Sequence, residues 1–433
     1  MIIKKLKASN FRSFKDIDIT LNKFNLIIGA NASGKSNFIS ILNFIKNIAE
    51  YDIEDAVSLL GGIEYIRNIY FESENTISVE IEIELGEEEY SEEARGYASY
   101  DELNEIGIGY RTLGFIYNLK LVIDENKKEF YVKEENINLN IVLVKVNLGM
   151  EDFDEEIVGS GILKTLRNGN NISFDIEILE SELDPEKIKE TLILKKEMLF
   201  MYKAKKNRSI LKNPPFFIDY SSVEENLKKI CNYEINPKSF KNFSIITGKS
   251  ELESDGSNLI LILRRLLNDK DKKNDLTTII RNLLPFIKTI SIRKFGDKYI
   301  YANVTETFSA KKSLPASLMS DGTINIIALI VILFFEKKPI IIIEEPESNI
   351  HPYLISKLID LMNDVSSRLG KQIIITTHNP ELVKYTKIEN IFLIHREENG
   401  FSTVSKPLEN EAIKYFLEKD MGMDELFVQN LLK

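Results

Sequence analysis

The chain has 433 residues, 43% of them hydrophobic, and a formal net charge of −11 at pH 7. A chain of this length can fold into roughly two to three domains with a sizeable core. The single cysteine, Cys231, excludes an internal disulfide framework, and three histidines leave little for a histidine metal cluster. The net acidity disfavours binding of polyanions over the whole surface, so any DNA contact would need a local basic patch or a partner.

Two segments bear on targeting, and both favour a cytoplasmic protein with no membrane contact. The N-terminal sequence MIIKKLKASNFRSF lacks the apolar segment of a signal peptide and is better interpreted as a strand. The longest apolar run, residues 324–335, is shorter than the roughly 20 residues that cross a bilayer. We therefore expect this run to form a buried helix.

The first 50 residues predict strands over residues 2–8, 14–21 and 24–28, and a helix over residues 37–50. Between the last strand and the helix lies GANASGKS, which fits the phosphate-loop pattern GxxxxGK[ST] in the strand-and-helix context that the pattern requires. Its backbone N–H groups can wrap phosphates, Lys35 can reach the β- and γ-phosphates of ATP, and the Ser36 hydroxyl can bind Mg²⁺. The alternative is a chance match. The candidate nucleotide-binding residues of this segment are Gly29, Asn31, Ser33, Gly34, Lys35, Ser36 and Asn37.

The middle of the chain predicts mixed β and α structure. Alternation predicts strands over residues 76–85 and 172–178 and a hairpin over residues 117–133, and the acidic residues 86–96 are typical of a solvated loop. No heptad pattern persists, which excludes a long coiled coil. Residues 195–212 interleave basic side chains with Phe200 and Tyr202. Such a mixture could bind phosphates and stack bases, or form the solvated face of a helix.

The C-terminal half predicts a helix over residues 257–267, a strand pair around residues 296–297, and closing helices within residues 410–432. An apolar strand over residues 340–343 runs into Glu344 and Glu345, and a second, over residues 372–376, precedes His378. Paired carboxylates at a strand end suit phosphoryl transfer, so we assign Glu344 to Mg²⁺ and Glu345 to the attacking water. His378 would then contact a γ-phosphate or that water. The alternatives are a solvated acidic turn and a structural histidine.

Five segments, NFRSFKD, GANASGKS, LMSDGTIN, IIIIEEPESNIHP and IITTHNPEL, resemble in order and spacing the RecF/SMC/OLD-like branch of the ABC-type ATPases, which belong among the AAA-family ATPases. The resemblance covers about residues 1–75 and 245–400. It implies that a signature loop, residues 320–323, closes on ATP held by a second protomer through Ser320 and Gly322. Two ATP molecules would be sandwiched in a homodimer.

The resemblance also places Arg12 near the bound nucleotide. From the residues alone, Arg12 could be a surface arginine and residues 320–323 a helix cap. Two departures stand out. Glu344 occupies a position that is usually Asp in ABC proteins, and the glutamine between phosphate loop and signature is missing, because Gln372 and Gln429 are the only glutamines. Another group must couple the nucleotide to the inserted lobe, or the coupling is weak.

The predicted fold class is α/β, a P-loop ABC-type head with a mixed β/α insertion lobe. Residues 1–75 and 245–433 form the discontinuous head and residues 76–244 the lobe. We expect an ATP- and Mg²⁺-dependent ATPase that dimerises and gates a partner in DNA maintenance or mobile-element defence. The alternatives are a slow-turnover ATP-gated scaffold that holds a toxin or nuclease, and a transporter motor. Only 55 residues follow His378, too few for an appended TOPRIM nuclease domain, so a nuclease would act in trans. DNA as a partner stays open.

Overall fold

The computed structural model describes residues 1–71, 74–86, 95–101, 106–124, 129–147, 155–192, 203–215, 220–309, 312–419, 421–429 and 431. The strands are β1 Ile2–Phe11, β2 Phe14–Thr20, β3 Phe24–Ile28, β4 Thr76–Glu84, β5 Arg95–Asp101, β6 Ile106–Asp124, β7 Glu129–Asn147, β8 Glu156–Asn168, β9 Asn171–Ser181, β10 Ile230–Tyr233, β11 Ser244–Ile245, β12 Ile287–Phe295, β13 Tyr299–Glu306, β14 Ser313–Pro315, β15 Ile340–Glu344, β16 Gln372–Thr377, β17 Ile391–Arg396 and β18 Ser402–Ser405. The helices are α1 Lys35–Tyr51, α2 Ile53–Leu59, α3 Ile63–Ile66, α4 Pro185–Leu192, α5 Ser221–Lys228, α6 Pro237–Lys241, α7 Leu259–Asn268, α8 Lys270–Leu283, α9 Asp321–Phe334, α10 Pro352–Arg368, α11 Pro380–Tyr385, α12 Glu411–Leu417 and α13 Met423–Val428.

Two compact units divide the chain. The first unit comprises Met1–Leu21, Ser36–Ile230 and Arg396–Thr403, and the second comprises Asn22–Lys35, Cys231–His395 and Val404–Lys433. This partition differs from the predicted division into residues 1–75 and 245–433 against 76–244. The N-terminal strands group with the insertion because β1 pairs along its length with β4. The division into a head of residues 1–75 and 245–433 and a lobe of residues 76–244 therefore stays a prediction.

The first unit contains a long sheet with the strand order β18-β2-β1-β4-β6-β7-β8-β9, and β5 pairs with β6. The β1–β2, β1–β4, β4–β6, β6–β7, β7–β8 and β8–β9 pairs are all antiparallel. The predicted strand over residues 76–85 is confirmed, since Ile77, Val79, Ile81 and Ile83 are buried and the residues between them are not. Alternation of this kind buries one face of the sheet and leaves the other polar. The predicted hairpin is also present but longer, because β6 and β7 have 19 residues each.

A buried ionic cluster fixes an irregular segment of the first unit, residues 203–215, against the sheet. Arg167 on β8 and Glu135 on β7 have fully buried side chains and pair with 3.0 Å between Nη1 and Oε2. Glu135 accepts further hydrogen bonds from Tyr117, the Ser209 hydroxyl and the Ile210 N–H. Arg167 donates to the backbone carbonyls of residues 169, 205 and 208. Nearly every polar atom of the pair therefore has a partner, as buried charges require.

The same segment is tied to the end of α1. Asp52, which is almost fully buried, accepts hydrogen bonds from the Ser209 N–H at 2.7 Å and the Asn213 amide at 3.1 Å, and pairs with Arg208. The interpretation of residues 195–212 as a helix face is wrong for the described part, because residues 203–212 are irregular and held by side-chain acceptors. Residues 195–202, with Phe200 and Tyr202, lie outside the described residues, as do residues 87–94 of the predicted acidic loop.

The second unit is built on parallel strands. Its strand order is β10-β15-β16-β3-β17, and the β15–β16, β16–β3 and β3–β17 pairs are parallel. These strands are mostly apolar and buried, as expected where helices cover both faces. Helix α9 is buried from Gly322 to Leu333, which confirms the predicted buried helix. The described part of the chain contains no helix long and apolar enough to span a membrane.

A second, small antiparallel sheet, with the order β11-β13-β12 and β14 beside β13, completes the second unit. It contains the predicted strand pair, with the turn at Gly296 and Asp297. The inward side chains Ile300, Ala302 and Val304 belong to the core of the unit, together with α7 and α9. The predicted helix over residues 257–267 and the closing helices are confirmed as α7, α12 and α13.

Candidate nucleotide-binding site

The phosphate loop follows β3, which lies between β16 and β17 in the parallel sheet. Ala32 and Gly34 adopt φ angles of 61° and 121°, in the left-handed region, which turn the loop towards α1. A Cβ at Gly29 would lie 2.3 Å from the carbonyl oxygen of Ile394 and 2.5 Å from the Ser33 hydroxyl. Only glycine fits there, so local packing requires the first glycine of the motif.

Lys35 is held against this loop at the first position of α1. Its Nζ donates to the carbonyl oxygens of Gly29 at 2.7 Å and Ala30 at 3.0 Å. Burial lowers the pKa of Lys35, whereas Glu345 and Glu347 oppose this shift. The loop therefore positions a desolvated ammonium group beside two carboxylates, a setting in which its interaction with phosphate oxygens is strengthened.

The carboxyl end of β15 carries the two predicted glutamates in different environments. Glu344 Oε1 accepts a hydrogen bond from the Asn232 amide at 2.9 Å, and burial raises the pKa of Glu344. Glu345 has a φ of 45°, so the chain turns at this residue, and its side chain is exposed. The N–H of Glu345 donates to the Thr376 carbonyl at 2.9 Å, which fixes the turn to β16.

The structure brings Glu345 and His378 together. The His378 Nδ1 lies 2.7 Å from Glu345 Oε1, and both side chains are accessible. A carboxylate held by an imidazole at a strand end can orient or deprotonate a water molecule. The sequence predicted each residue separately for one reaction centre, and their contact supports that grouping without testing the roles.

Sequence reasoning missed Glu347 and Thr377. Glu347 is 6% exposed, and its Oε1 accepts a hydrogen bond from the Thr377 hydroxyl. Thr377 in turn accepts from the Asn379 N–H at 2.9 Å, next to the start of α11. The signal was present as a third carboxylate in the EEPE sequence, but only the fold shows that this one points inward. Burial raises the pKa of Glu347 to about 7.

This pKa makes stability pH-dependent. Because the folded-state pKa of about 7 exceeds the ordinary value of 4.5, the folded chain binds more protons between those two pH values. The contribution of Glu347 to the free energy of unfolding is therefore fully present below about pH 4.5 and is lost as the pH rises through 7. The total loss is up to about 3 kcal/mol. Glu347→Gln should flatten the dependence of the unfolding free energy on pH between 5 and 7, measured by urea denaturation. Equal slopes for the two proteins would contradict this assignment.

The predicted signature residues lie at the start of α9. The Ser320 hydroxyl caps the helix by accepting from the Thr323 N–H at 3.2 Å, so the helix-cap interpretation is confirmed. Gly322 packs so closely that a Cβ would lie 2.0 Å from the Asn349 carbonyl oxygen. Asn325 donates to the Ser348 carbonyl at 2.6 Å, which joins α9 to the turn after β15. Asp321 pairs with Lys241 at 2.5 Å.

Arg12 and Asn37 lie in the first unit. Arg12 Nη1 donates to the Ser40 hydroxyl at 2.7 Å, and Asn37 donates to the Ser13 hydroxyl at 2.7 Å. Burial lowers the pKa of Arg12. Arg12 is partly buried, and these contacts draw its side chain onto α1, so its role near the nucleotide stays a prediction.

Arg12, Ser13 and Asn37 also line a cleft of about 520 Å³ in the first unit. Its other walls include Tyr65, Tyr70, Arg67 and Arg396, which the sequence did not single out. The cleft therefore combines three guanidinium groups with aromatic rings. Ser36 and Asn37 belong to this unit, whereas Gly29, Asn31, Ser33, Gly34, Lys35, Ser320, Gly322, Glu344, Glu345 and His378 belong to the second.

The candidate ligands for Mg²⁺ are oxygen donors, which this ion prefers. No group of three or more His, Cys, Asp or Glu side chains among the described residues could hold a metal ion. Mg²⁺ commonly takes only one or two protein ligands and completes its shell with water and substrate phosphates. The Ser36 hydroxyl in the first unit and the Glu344 carboxylate in the second are each oxygen donors of the kind that Mg²⁺ takes. Glu344 keeps acceptor capacity because Asn232 occupies only Oε1.

These features define an α/β nucleotide-binding protein of the P-loop class. The family described as "AAA domain, putative AbiEii toxin, Type IV TA system" matches residues 24–108 and 119–384. The chain belongs to this family, and the predicted relation to the RecF/SMC/OLD-like ABC-type ATPases is confirmed.

Similar proteins include a DNA double-strand break repair Rad50 ATPase of Methanococcus maripaludis, 26% identical over 254 residues, or 54% of this chain. The chain spans about a quarter of that relative's length, since the match covers 25% of it. An SMC head bound to the C-winged helix domain of ScpA is similar over 94% of this chain and 97% of its own, with 13% identity and a TM-score of 0.49. The SMC head of Thermotoga maritima is similar over 94% of this chain and 99% of its own, with 12% identity and a TM-score of 0.41.

Proposed function

We propose that this chain is a Mg²⁺-dependent ATPase head that closes as a homodimer around two ATP molecules and thereby gates a partner. The observation that carries the proposal is the contact between Glu345 and His378 at the strand end in the same unit as Lys35. Family membership and the similarity to a Rad50 ATPase support ATP as the substrate.

Each candidate residue has a proposed role in ATP binding or hydrolysis. The loop N–H groups and Lys35 bind the β- and γ-phosphates. Arg12 and Asn37, in the first unit, are kept as candidate nucleotide contacts. Glu345 orients the attacking water, and His378 holds the Glu345 carboxylate and contacts the γ-phosphate or that water. Bound Mg²⁺ would supply positive charge to the phosphates, with Ser36 and Glu344 as its protein ligands.

Dimer formation rests on Ser320 and Gly322. Ser320 is exposed at the N-terminus of α9, a helix of 14 residues, where backbone N–H groups and the helix dipole favour an anion. We assign the γ-phosphate of a second protomer to this position. Gly322 allows α9 to pack against Asn349, two residues after Glu347, so the signature and the acidic turn are structurally linked.

The partner is a macromolecule in DNA maintenance or mobile-element defence. The Rad50 match supports the first pathway, and the toxin and TA-system terms of the family description support a toxin or nuclease held in trans. This second reading makes the chain a slow-turnover ATP-gated scaffold in the cytoplasm. Stimulated turnover with DNA would favour the first, and very slow basal turnover released by a purified partner would favour the second.

The test is ATP turnover by wild type and Glu345→Gln. We expect the substitution to reduce turnover by at least about 10²-fold while ATP affinity stays within a few-fold, because the amide keeps the shape but not the basicity of the carboxylate. Glu389→Gln, at an exposed residue before β17, is the matched control and should retain full activity. Unchanged turnover in Glu345→Gln would overturn the assignment of this residue.

A further inference from the structure

The small sheet of the second unit carries a cluster of exposed aromatic side chains on its outer face. Phe243, Phe295 and Tyr299 are 55%, 60% and 44% exposed. The Phe243 ring lies 5.0 Å from the Phe295 ring and 5.6 Å from the Tyr301 ring, measured between centroids. Apolar groups gathered in this way on a surface usually mark a binding site. We call Phe243, Phe295, Tyr299 and Tyr301 the aromatic platform.

Strand register explains why these rings share one face. Phe295 pairs with Tyr299 and Arg293 pairs with Tyr301 across β12 and β13, and side chains at paired and alternate positions point to the same side. The opposite face carries Ile300, Ala302 and Val304, which are buried in the core. The sheet thus keeps an apolar inner face and presents a second, largely aromatic face outward. Core packing accounts for the first face only.

The charge around the aromatic platform is opposite to that of the chain. The hairpin over residues 288–298 contains four basic residues, Lys288, Arg293, Lys294 and Lys298, and one acidic residue, Asp297, in a chain of net charge −11. Arg293, Lys294 and Lys298 are all exposed. A local basic patch is what DNA or RNA contact requires in an acidic protein, because phosphate neutralisation dominates the affinity.

A small cavity adjoins the platform. It has a volume of about 180 Å³ and is lined by Phe243, Tyr301, Asn242, Lys241 and Ser317, with Phe240, Ala302, Pro315 and Ala316. This is below the roughly 300–1,000 Å³ of small-molecule sites, and is of a size for one ring system. Its walls join aromatic faces to the Asn242 amide and the Ser317 hydroxyl, which are groups that stack on and hydrogen-bond to a nucleobase, while the Lys241 ammonium group pairs with Asp321.

We propose that the aromatic platform is a binding site for single-stranded nucleic acid, with bases stacked on Phe243, Phe295 and Tyr301 and one base in the adjoining cavity. Arg293, which shares the platform's face of the sheet, and Lys298, in the turn before Tyr299, contact the phosphates. Unpaired bases expose the faces that stacking needs, so a single strand binds more tightly than a duplex. The proposal does not depend on ATP hydrolysis, because every residue it uses lies outside the assigned nucleotide site.

The experiment is fluorescence anisotropy of a labelled 15-nucleotide oligo-dT and of a 15-base-pair duplex, without nucleotide, across a salt series. Wild type should prefer the single strand. The double variant Phe243→Ala/Phe295→Ala should lose at least about 10-fold in affinity, since each stacked base contributes about 1–3 kcal/mol. Arg293→Glu should weaken binding and reduce the salt slope by about one. Tyr415→Ala, which removes a tyrosine that is 58% exposed on α12, is the matched control and should bind like wild type.

Two results would overturn the proposal. The first is the absence of oligo-dT binding by wild type at low salt, or equal affinity of wild type and the double variant. The second is a double variant that no longer shows the concentration-dependent self-association of wild type but keeps the wild-type affinity for oligo-dT. That result would assign the platform to a protein contact. Circular dichroism melts test whether any variant unfolds. We expect all variants to stay folded, because the substituted side chains are largely exposed.

Discussion

Replacing Lys35 with alanine is expected to reduce ATP turnover by about 10²- to 10³-fold and to weaken ATP binding measurably. The reason is that its ammonium group is desolvated by the phosphate loop, so its loss removes a charge that acts in a low dielectric. Removal of one preorganised donor from such a site typically costs about 3–4 kcal/mol in the transition state. The measurements are steady-state turnover with ATP and Mg²⁺, and ATP affinity by calorimetry.

The control for this substitution has to separate charge from loop structure, because Lys35 also holds the carbonyl groups of Gly29 and Ala30. Lys35→Arg keeps the charge but places it in a planar fork that does not match the two carbonyl positions. Both variants should melt within a few degrees of wild type. If Lys35→Ala retains wild-type turnover, the loop is not the site of phosphate binding.

Replacing Glu135 with alanine is expected to destabilise the first unit by about 3–5 kcal/mol, the usual cost of leaving one member of a buried ion pair alone. Arg167 would keep its charge in a fully buried position, and Tyr117, Ser209 and Ile210 would lose their acceptor. Burial raises the pKa of Glu135, while the Arg167 charge is the main opposing influence. Urea denaturation followed by circular dichroism measures the loss.

The preceding residue provides a matched control. Glu134 pairs with Lys120 at 2.7 Å, but both side chains are about one-third exposed. Glu134→Ala should therefore cost less than about 1 kcal/mol. The double variant Glu135→Leu/Arg167→Met should recover part of the stability that Glu135→Ala loses, because it leaves no uncompensated charge, although Tyr117, Ser209 and the Ile210 N–H still lack their acceptor. Equal small losses for Glu134→Ala and Glu135→Ala would show that the cluster does not hold residues 203–215 in place.

The parallel part of the fold was predictable because its signals are local. A run of apolar residues ending in GANASGKS, in EEPE or in THNP predicts both a buried strand and a functional strand end, and strand ends of a parallel sheet meet at one edge. Hence Lys35, Glu345 and His378 could be singled out from the sequence as candidates. Glu347 was missed because its direction depends on the turn at Glu345, whose positive φ no spacing rule predicts.

The inserted sheet was only partly predictable. The strands β6 and β7 were each recognised over less than half of their 19 residues. Their remaining parts contain residues that are depleted in strands, Gly107, Gly109 and Gly114 in β6 and Asn136, Asn138 and Asn140 in β7. Gly114 is needed there because a Cβ would lie 2.5 Å from the Ile83 carbonyl oxygen of β4. The full lengths of β6 and β7 therefore depend on pairing with the neighbouring strands. The buried pair of Glu135 and Arg167 was likewise invisible, since the two residues meet only through the β7–β8 register.

The measurement that tests the central claim most directly is the sedimentation-equilibrium mass of Glu345→Gln with and without ATP and Mg²⁺. The account predicts a monomer without nucleotide and a doubled mass with ATP and Mg²⁺, because binding is retained while hydrolysis is blocked. Ser320→Arg in the same background should stay monomeric, since Ser320 is exposed and the substitution affects the contact surface at the start of α9. An unchanged mass on addition of ATP and Mg²⁺, with ATP shown to be bound, would contradict closure around two ATP molecules.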